Sequence, residues 1–286
     1  MKVALTLGLL LASATFLTPT AHAQTSILNL DDDPISSPND PNNDGTHKWA
    51  YSTGGGVGCG SLCNPTGSLV HTSYYNVDGQ SLQFNLAKNS GCTGGGCYGD
   101  LDFANHIYRD GTANNATSFT LDMQATGDSI TNSSAQAIEF TIEQDLPNGS
   151  GADRYIYSWQ CLFNDPSPHW RLWNGAYLNS NGSYGRWEDA ITTGGSKVPC
   201  TPFTAGSFNH YYFHFKRLAA TKQIQFTDFT IVINGTSYYY PFNEVRGIQP
   251  TVSGWGQGLF TAIQLDGNST QSPYSVWADK WTVAYQ

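Results

Sequence analysis

Residues 136–144 read QAIEFTIEQ, and apolar and polar side chains alternate through the stretch. The apolar positions run from Ile138 to Ile142, and Glu139, Thr141 and Glu143 are the polar residues beside them. Successive side chains of a strand point to opposite sides, so this pattern predicts a strand with one buried and one polar face. Such a strand is typical of a sheet that covers a hydrophobic core on one side only.

Strand signals of the same kind recur along most of the chain. Clusters of Gly, Asn, Pro or Ser separate most of them, and no long helical pattern is present. Short strands with turn signals between them predict a sandwich or barrel. Between two of the strands, Asn234-Gly235 predicts a tight hairpin, because both central residues of a type I′ turn need a positive φ. The ten predicted strands cover residues 80–87, 117–124, 136–144, 154–163, 169–174, 209–217, 225–234, 236–242, 258–266 and 275–285.

The composition is that of a stable extracellular β-protein. Charged residues make up 12% of the 286-residue chain and aromatic residues 13%, with 30 glycines. Few charges and many turn formers do not fit a helical cytosolic enzyme. All-β sandwiches of this length are commonly single domains, so residues 47–286 are predicted to form one β-sandwich domain.

The N-terminal residues predict export. Lys2 precedes an apolar run over residues 3–12, and Ala21-His22-Ala23 forms an A-x-A cleavage signal. Residues 1–23 are therefore interpreted as a secretory signal peptide, which predicts a secreted, extracellular or periplasmic protein. An uncleaved anchor is the alternative, although the apolar run is too short to span a bilayer. Residues 24–46, rich in Pro, Asn and Asp, predict a flexible N-terminal segment.

The charge of the mature chain limits the classes of partner. Without Lys2 the chain carries 12 basic and 22 acidic residues, a net charge of −10. Nucleic acids and anionic membranes both need a basic face, so neither is expected as a partner. We expect a monomer whose partner is a polysaccharide or oligosaccharide, for the reasons given below.

Six cysteines in an exported chain predict disulfides. They fall into three local groups, two of which lie in Gly-rich loops. A zinc site is the rival interpretation of the two closely spaced groups, but glycine-flanked cysteines in an oxidising compartment favour disulfides. The predicted pairs are Cys59 with Cys63, Cys92 with Cys97, and Cys161 with Cys200.

Three stretches resemble one enzyme family. Residues 139–143, EFTIE, resemble the E-x-D-x-E strand of the laminarinase–lichenase family of glycoside hydrolases. FNHYYFHF at 208–215 with IVING at 231–235 looks like its FHxYxxxW … VDG strands, and WADKWTVAYQ at 277–286 is similar to its closing DWVRVYQ strand. The resemblance implies an all-β, concanavalin-like jelly-roll β-sandwich of two antiparallel sheets. The last two stretches also recur in lectin and laminin-G-like modules of that fold, which bind without cleaving.

The resemblance implies a catalytic pair. Glu139 matches the family's nucleophile and Glu143 its general acid/base, while Thr141 stands where the family has an Asp and would orient Glu139. A threonine supplies a hydrogen bond but no negative charge. Residues i and i+4 of a flat strand lie about 13 Å apart, whereas retaining hydrolysis needs carboxyl groups about 5 Å apart. The pair would therefore need a curved strand.

The leading hypothesis is an endo-acting retaining glycoside hydrolase on a β-glucan-like polymer, with aromatic side chains that stack on sugar rings. Two alternatives stay open: a non-catalytic glycan-binding or adhesion module of the same fold, and a polysaccharide lyase with His214 as base beside Tyr212. Neither a cofactor nor a metal site is expected. The predicted substrate-binding residues are Trp159, Gln160, Arg171, Trp173, Trp187, His214, Gln264 and Asp266.

Overall fold

A computed structural model describes the chain over residues 24–36, 47–53, 66–87, 100–128, 135–201, 203–252, 257–267 and 273–286. These residues form sixteen β-strands and two 3-10 turns, Leu30–Asp32 and Ala219–Thr221. The strands are β1 (Thr25–Ile27), β2 (Trp49–Thr53), β3 (Thr66–Thr72), β4 (Ser81–Ala87), β5 (Asp100–Tyr108), β6 (Ser118–Gly127), β7 (Ala135–Pro147), β8 (Ala152–Leu162), β9 (His169–Leu178), β10 (Tyr184–Asp189), β11 (Asn209–Leu218), β12 (Gln223–Ile233), β13 (Thr236–Gly247), β14 (Gln249–Val252), β15 (Gly258–Gly267) and β16 (Tyr274–Tyr285).

The strands form two antiparallel sheets. The first sheet has the order β13-β12-β11-β6-β16-β4-β3, with β1 beside β16. The second has the order β10-β9-β8-β7-β15-β5-β2, with β14 beside β8. The chain crosses repeatedly between the sheets, as in a jelly roll. The predicted fold class, an all-β jelly-roll sandwich of two antiparallel sheets, is confirmed.

All ten predicted strands are present, with boundaries shifted by a few residues. The predicted hairpin is also confirmed: Asn234 and Gly235 join β12 to β13 with φ values of 49° and 76°. Six further strands were not predicted from the sequence: β1, β2, β3, β5, β10 and β14. Among the residues that the structure describes, no helix has the length and apolar character needed to cross a membrane.

Aromatic side chains fill the space between the sheets. Phe213 of β11 stacks on Phe229 of β12 with ring centroids 4.8 Å apart, and Trp159 of β8 lies 5.2 Å from Phe213. Trp170 and Phe140 complete this part of the core, and each of the five side chains is at most 1% exposed. Complete burial of a large apolar side chain contributes roughly 1.5–3 kcal/mol.

Two predicted substrate-binding residues lie apart from the other candidates. Trp159 is 0% exposed in the core, because its neighbour Gln160 points to the opposite side of β8. That prediction was wrong, since a fully buried ring cannot contact a ligand. His214 lies on the outer face of the first sheet, where its Nδ1 is 2.5 Å from Asp228 Oδ1, and its role in binding stays a prediction.

Residues 24–36, which belong to the N-terminal segment predicted for residues 24–46, make contacts with the sandwich. Thr25 of β1 lies opposite Tyr285 of β16. Leu30 is fully buried, and its carbonyl accepts a 2.6 Å hydrogen bond from Trp49 Nε1. Asp31 accepts a 2.7 Å hydrogen bond from the Trp281 backbone N–H. Residues 24–36 are thus part of the fold; residues 37–46 and the predicted signal peptide, residues 1–23, lie outside the described residues.

One predicted disulfide is confirmed. Cys161, at the end of β8, is bonded to Cys200 in the loop after β10, with the two Cα atoms 5.7 Å apart. The bond spans 39 residues and therefore links β8 to the far side of the β9–β10 hairpin. The other four cysteines, Cys59, Cys63, Cys92 and Cys97, lie outside the described residues.

Candidate functional site

A groove of about 570 Å³ lies on the outer face of the second sheet. Its floor comes from β5, β15, β7, β8 and β9, and β10 with the turn before it forms one wall. Nine of the predicted catalytic and substrate-binding residues line it: Glu139, Thr141, Glu143, Gln160, Arg171, Trp173, Trp187, Gln264 and Asp266.

Strand register brings these residues together. Glu139 of β7 lies between Gln264 of β15 on one side and Gln160 of β8 on the other. Gln160 in turn lies opposite Arg171 of β9. Side chains directly opposite each other on one face are about 5 Å apart at Cβ. The four residues therefore form one polar row across four strands, although 125 positions separate Glu139 from Gln264 in the sequence.

The polar row is joined by hydrogen bonds. Arg171 Nε donates to Gln160 Oε1 at 2.7 Å, which fixes the orientation of the Gln160 amide. Gln160 Nε2 then donates to Glu139 Oε1 at 2.5 Å and, at 3.4 Å, to Asp266 Oδ2. Gln264 Nε2 donates to Asp266 Oδ1 at 2.8 Å. A network of this kind holds its polar atoms in fixed directions before any ligand arrives.

Glu139 and Asp266 share a proton at the base of the groove. Glu139 is 8% exposed and Asp266 2% exposed. Burial, followed by the negative charge of Asp266, raises the pKa of Glu139 well above its ordinary value, while burial raises the pKa of Asp266 to about 6. Two neighbouring buried carboxylates cannot both ionise readily, so a protonated Glu139 donates to an ionised Asp266 near neutral pH.

Glu143, four residues further along β7, has a different environment. Arg154 Nε donates to Glu143 Oε1 at 2.6 Å and lies 3.8 Å from Asp145 Oδ1. Burial and the Glu143 charge raise the pKa of Asp145 to about 9. Arg154 therefore holds Glu143 as one half of an ion pair, beside a second carboxyl group that is protonated.

The two predicted catalytic carboxyl groups line the same groove but have different partners. Glu139 interacts with Gln160 and Asp266, whereas Glu143 pairs with Arg154. The charges of Glu143 and Arg154 also act on Asp102, which lies opposite Gln264 on the next strand.

Thr141 does not orient Glu139. Its hydroxyl oxygen lies 2.6 Å from Ser158 Oγ on the neighbouring strand, in a hydrogen bond between the two hydroxyl groups. That strand-to-strand contact replaces the expected bond to the carboxyl group of Glu139, so this prediction was wrong. The raised pKa of Glu139 also opposes the nucleophilic role, which needs an ionised carboxylate.

Two tryptophans form an aromatic wall beside the polar row. Trp173 of β9 and Trp187 of β10 are cross-strand partners, and their rings meet edge to face with centroids 5.1 Å apart. Gly185 makes this arrangement fit: a Cβ built there would lie 2.0 Å from Trp173 Cζ2. Both rings are half-buried and line the groove, so each keeps surface available for a ligand.

Sequence analysis missed several groove residues. β5 contributes two carboxyl groups, β8 a guanidinium group, and β10 an aromatic ring and a second guanidinium group. The residues are Asp100, Asp102, Arg154, Tyr184 and Arg186. The alternation in DLDFANHIY, residues 100–108, was the available signal for the two aspartates, since it places them on the face opposite Leu101 and Phe103. Within the part of the chain that is described, no group of three or more His, Cys, Asp or Glu could hold a metal ion.

No protein-family model matches the chain, and no curated protein matches it. Among solved structures, the basic winged bean lectin with Tn-antigen aligns at 11% identity over 92% of this chain and 99% of its own, with a TM-score of 0.44. Lectin I from Ulex europaeus, in complex with the methyl glycoside of α-L-fucose, aligns at 9% identity over 91% and 98%, also with a TM-score of 0.44. A carbohydrate esterase from the Shiga toxin-encoding bacteriophage phi24B aligns at 11% over 86% and 94%, with a TM-score of 0.42. These alignments assign no role to any residue, and the laminarinase–lichenase resemblance stays a prediction.

Proposed function

We propose that this protein binds glycans in the groove of the second sheet and does not cleave them. The observation that carries the proposal is the aromatic wall of Trp173 and Trp187 beside a fixed row of amide, carboxyl and guanidinium groups. Sugar rings present apolar C–H faces to aromatic rings and hydroxyl groups to polar side chains. The groove offers both kinds of surface within one cavity.

The size and shape of the groove agree with this function. A volume of about 570 Å³ lies within the range of pockets that hold small ligands. Gln160 can neither rotate nor exchange its donor and acceptor ends without losing Arg171 as a partner. A site with fixed donors and acceptors selects ligands by the positions of their hydroxyl groups.

The carboxyl groups support binding over cleavage. Hydrolysis needs two carboxyl groups on either side of one glycosidic bond, one of them a proton donor and the other a base or nucleophile. Burial and the charge of Asp266 raise the pKa of Glu139 well above its ordinary value, and Glu143 is held in an ion pair with Arg154. A protonated Glu139 does not suit the nucleophile's role, and an arginine partner favours the ionised form of Glu143 over a proton donor.

The test is a glycan array followed by calorimetry with the best ligand. We expect Trp173→Ala and Trp187→Ala to weaken binding by about tenfold or more, equal to about 1.4 kcal/mol, and Trp173→Phe to retain part of the affinity. Tyr239→Ala is the matched control, because Tyr239 is an aromatic residue of the first sheet and is 62% exposed. No binding to any glycan, or equal loss in all three alanine variants, would show that the groove is not a glycan site.

The second candidate is an endo-acting glycoside hydrolase, which one observation favours. Glu139 is a protonated carboxyl group in an open groove, as a proton donor to a leaving oxygen must be. In that case Glu139 would act as the acid and not as the nucleophile. Release of reducing ends from β-glucans, galactans or xylans, abolished in Glu139→Gln, would establish this activity. Binding without release supports the first proposal.

A further inference from the structure

Carboxyl groups crowd the end of the groove formed by β5 and β15. Asp266 lies directly opposite Asp100, and Gln264 directly opposite Asp102. Asp266 is also the proton-sharing partner of Glu139 on β7. Like charges that face each other across a sheet destabilise it. Four acidic side chains on three adjacent strands are therefore an arrangement that costs stability.

Asp100 is the least compensated of the four. It lines the groove, is 7% exposed, and its Oδ1 is buried without a hydrogen-bond partner. Burial and the charges of Asp266 and Asp102 raise its pKa to about 9. Among the ion pairs between residues that the structure describes, none includes Asp100.

We propose that this end of the groove binds the ammonium group of an amino sugar, with Asp100 and Asp266 as its main partners. The inference rests on the proposed glycan-binding function and names the class of glycan. An ammonium group offers three donors and a positive charge to a site that holds surplus acceptors and negative charge. The groove places these carboxyl groups in the same cavity as the aromatic wall, so one oligosaccharide can reach both.

A metal ion fits the site less well than an ammonium group. The described carboxyl groups do not form a group of three or more that could hold a metal. Ammonium recognition needs only hydrogen-bond acceptors at ordinary distances, without a coordination shell. The charges of Asp102 and Asp266 also disfavour anionic glycans, whose carboxylate or sulfate groups would face them.

Binding of a cation here must release protons. The groups that face the site are Asp100 and Asp102 from β5, Asp266 from β15, Glu139 from β7 and Arg171 from β9. Near neutral pH Asp100 and Glu139 are protonated, because burial raises the pKa of both. A cation close to them favours the ionised forms, so a proton leaves as the ammonium group arrives. A neutral sugar has no such effect.

The experiment compares three matched hexasaccharides by calorimetry: β-1,4-linked glucosamine, N-acetylglucosamine and glucose. Titrations at pH 6.5 in two buffers of different ionisation enthalpy count the protons released. We expect the glucosamine hexamer to bind about tenfold or more tightly than the other two and to be the one that releases protons. If the array favours another neutral glycan, its 2-amino-2-deoxy form takes the place of the glucosamine hexamer.

Asp100→Asn should bring the affinity for the amino sugar down to that for the neutral sugar and leave the neutral sugar's affinity unchanged. Asp110→Asn is the control, because Asp110 is exposed just beyond β5. If Asp100→Asn does not fold, Asp102→Asn replaces it, because Asp102 is an exposed residue of the same strand, β5. Asp102→Asn should reduce the preference for the amino sugar over the neutral sugar by a smaller factor.

The outcomes separate the two proposals. The ammonium-site proposal would be overturned by equal affinity for charged and neutral glycans. It would also be overturned if Asp100→Asn kept the preference for the amino sugar. Neither result would contradict the proposal that the groove binds glycans. No binding of any glycan would overturn both. Calcium chloride alone binding tightly to the wild-type protein, and not to Asp100→Asn, would overturn the ammonium site in favour of a metal.

Discussion

The substitution Gly185→Ala tests whether the position of the Trp173 ring controls ligand binding. A Cβ at residue 185 would lie 2.0 Å from Trp173 Cζ2, whereas real Cβ contacts are essentially never shorter than 3.0 Å. The indole ring, or the strand that carries it, must therefore move by about 1 Å or more. Gly185 also has a φ of +95°, so an alanine adds backbone strain of about 1–3 kcal/mol.

Gly182 provides a matched control in the turn of the same hairpin. Its φ is +83°, and a Cβ built there meets nothing within 4 Å. Gly182→Ala therefore carries the backbone strain without the contact with Trp173. A difference between the two variants measures the displacement of the ring, because the cost of a positive φ is common to both.

We expect Gly185→Ala to lose about tenfold or more in glycan affinity and Gly182→Ala to stay within about twofold of wild type. Gly182→Ala should lose about 1–3 kcal/mol of unfolding free energy in urea, followed by tryptophan fluorescence. Gly185→Ala should lose about 1–3 kcal/mol more, because the added methyl group displaces the ring of Trp173. The assay for binding is calorimetry with the ligand that the glycan array selects. Equal affinity in the two variants would refute the reasoning, since the ring would then have moved without consequence or not moved.

Two further predictions concern stability. Replacing both Cys161 and Cys200 with alanine removes a bond that spans 39 residues. Loop-closure entropy then predicts that the free energy of unfolding, measured in urea, falls by about 4 kcal/mol. A fall of less than about 1 kcal/mol would contradict this expectation. Burial raises the pKa of Asp266 to about 6, so the folded state binds a proton at this group more tightly than the unfolded state does. The contribution of Asp266 to the free energy of unfolding is therefore fully present below about pH 4 and declines as the pH rises to about 6. Asp266→Asn should remove a decline on the order of 2–3 kcal/mol between those pH values, and pH profiles of the two proteins that run parallel would count against it.

Most of the strands, and the faces that they bury, were predicted from the alternation of apolar and polar side chains. In β7 the apolar and polar positions alternate with the period of a strand from Ile138 to Glu143, so its outward face could be predicted from the sequence. β15 follows the period less strictly, since Thr261 faces the core and Ala262 faces the groove. Asn234-Gly235 identified a hairpin because few residues tolerate two successive positive φ values. Cys161 and Cys200 were paired because each was the nearest remaining partner of the other.

β5 was missed because its composition is unusual for a strand. Aspartate, alanine and asparagine are all depleted in strands, and Asn105 occupies a core position. Asn105 is tolerated there because its Nδ2 donates a 2.8 Å hydrogen bond to Asp33 Oδ2, from the segment before the sandwich. A partner 72 residues away cannot be inferred from local pattern.

The prediction that both Trp159 and Gln160 face the groove could have been rejected from the sequence alone. Gln160 and Trp159 are neighbours in a predicted strand, so only one of them can face the groove. The partner of Glu139 could not be predicted, because Asp266 belongs to β15, which strand pairing brings alongside β7 from more than 100 positions away in the sequence. Arg154, the partner of Glu143, comes from the next strand, β8.

β16 lies in the middle of the first sheet, between β6 on one side and β4 and β1 on the other. Its pairing with β1 brings Thr25 and Tyr285 side by side, although 260 positions separate them in the sequence. Without residues 274–285 the sheet would consist of two halves with no strand to join them. Completion of the first sheet therefore requires pairing over very long sequence separations, which makes folding slow.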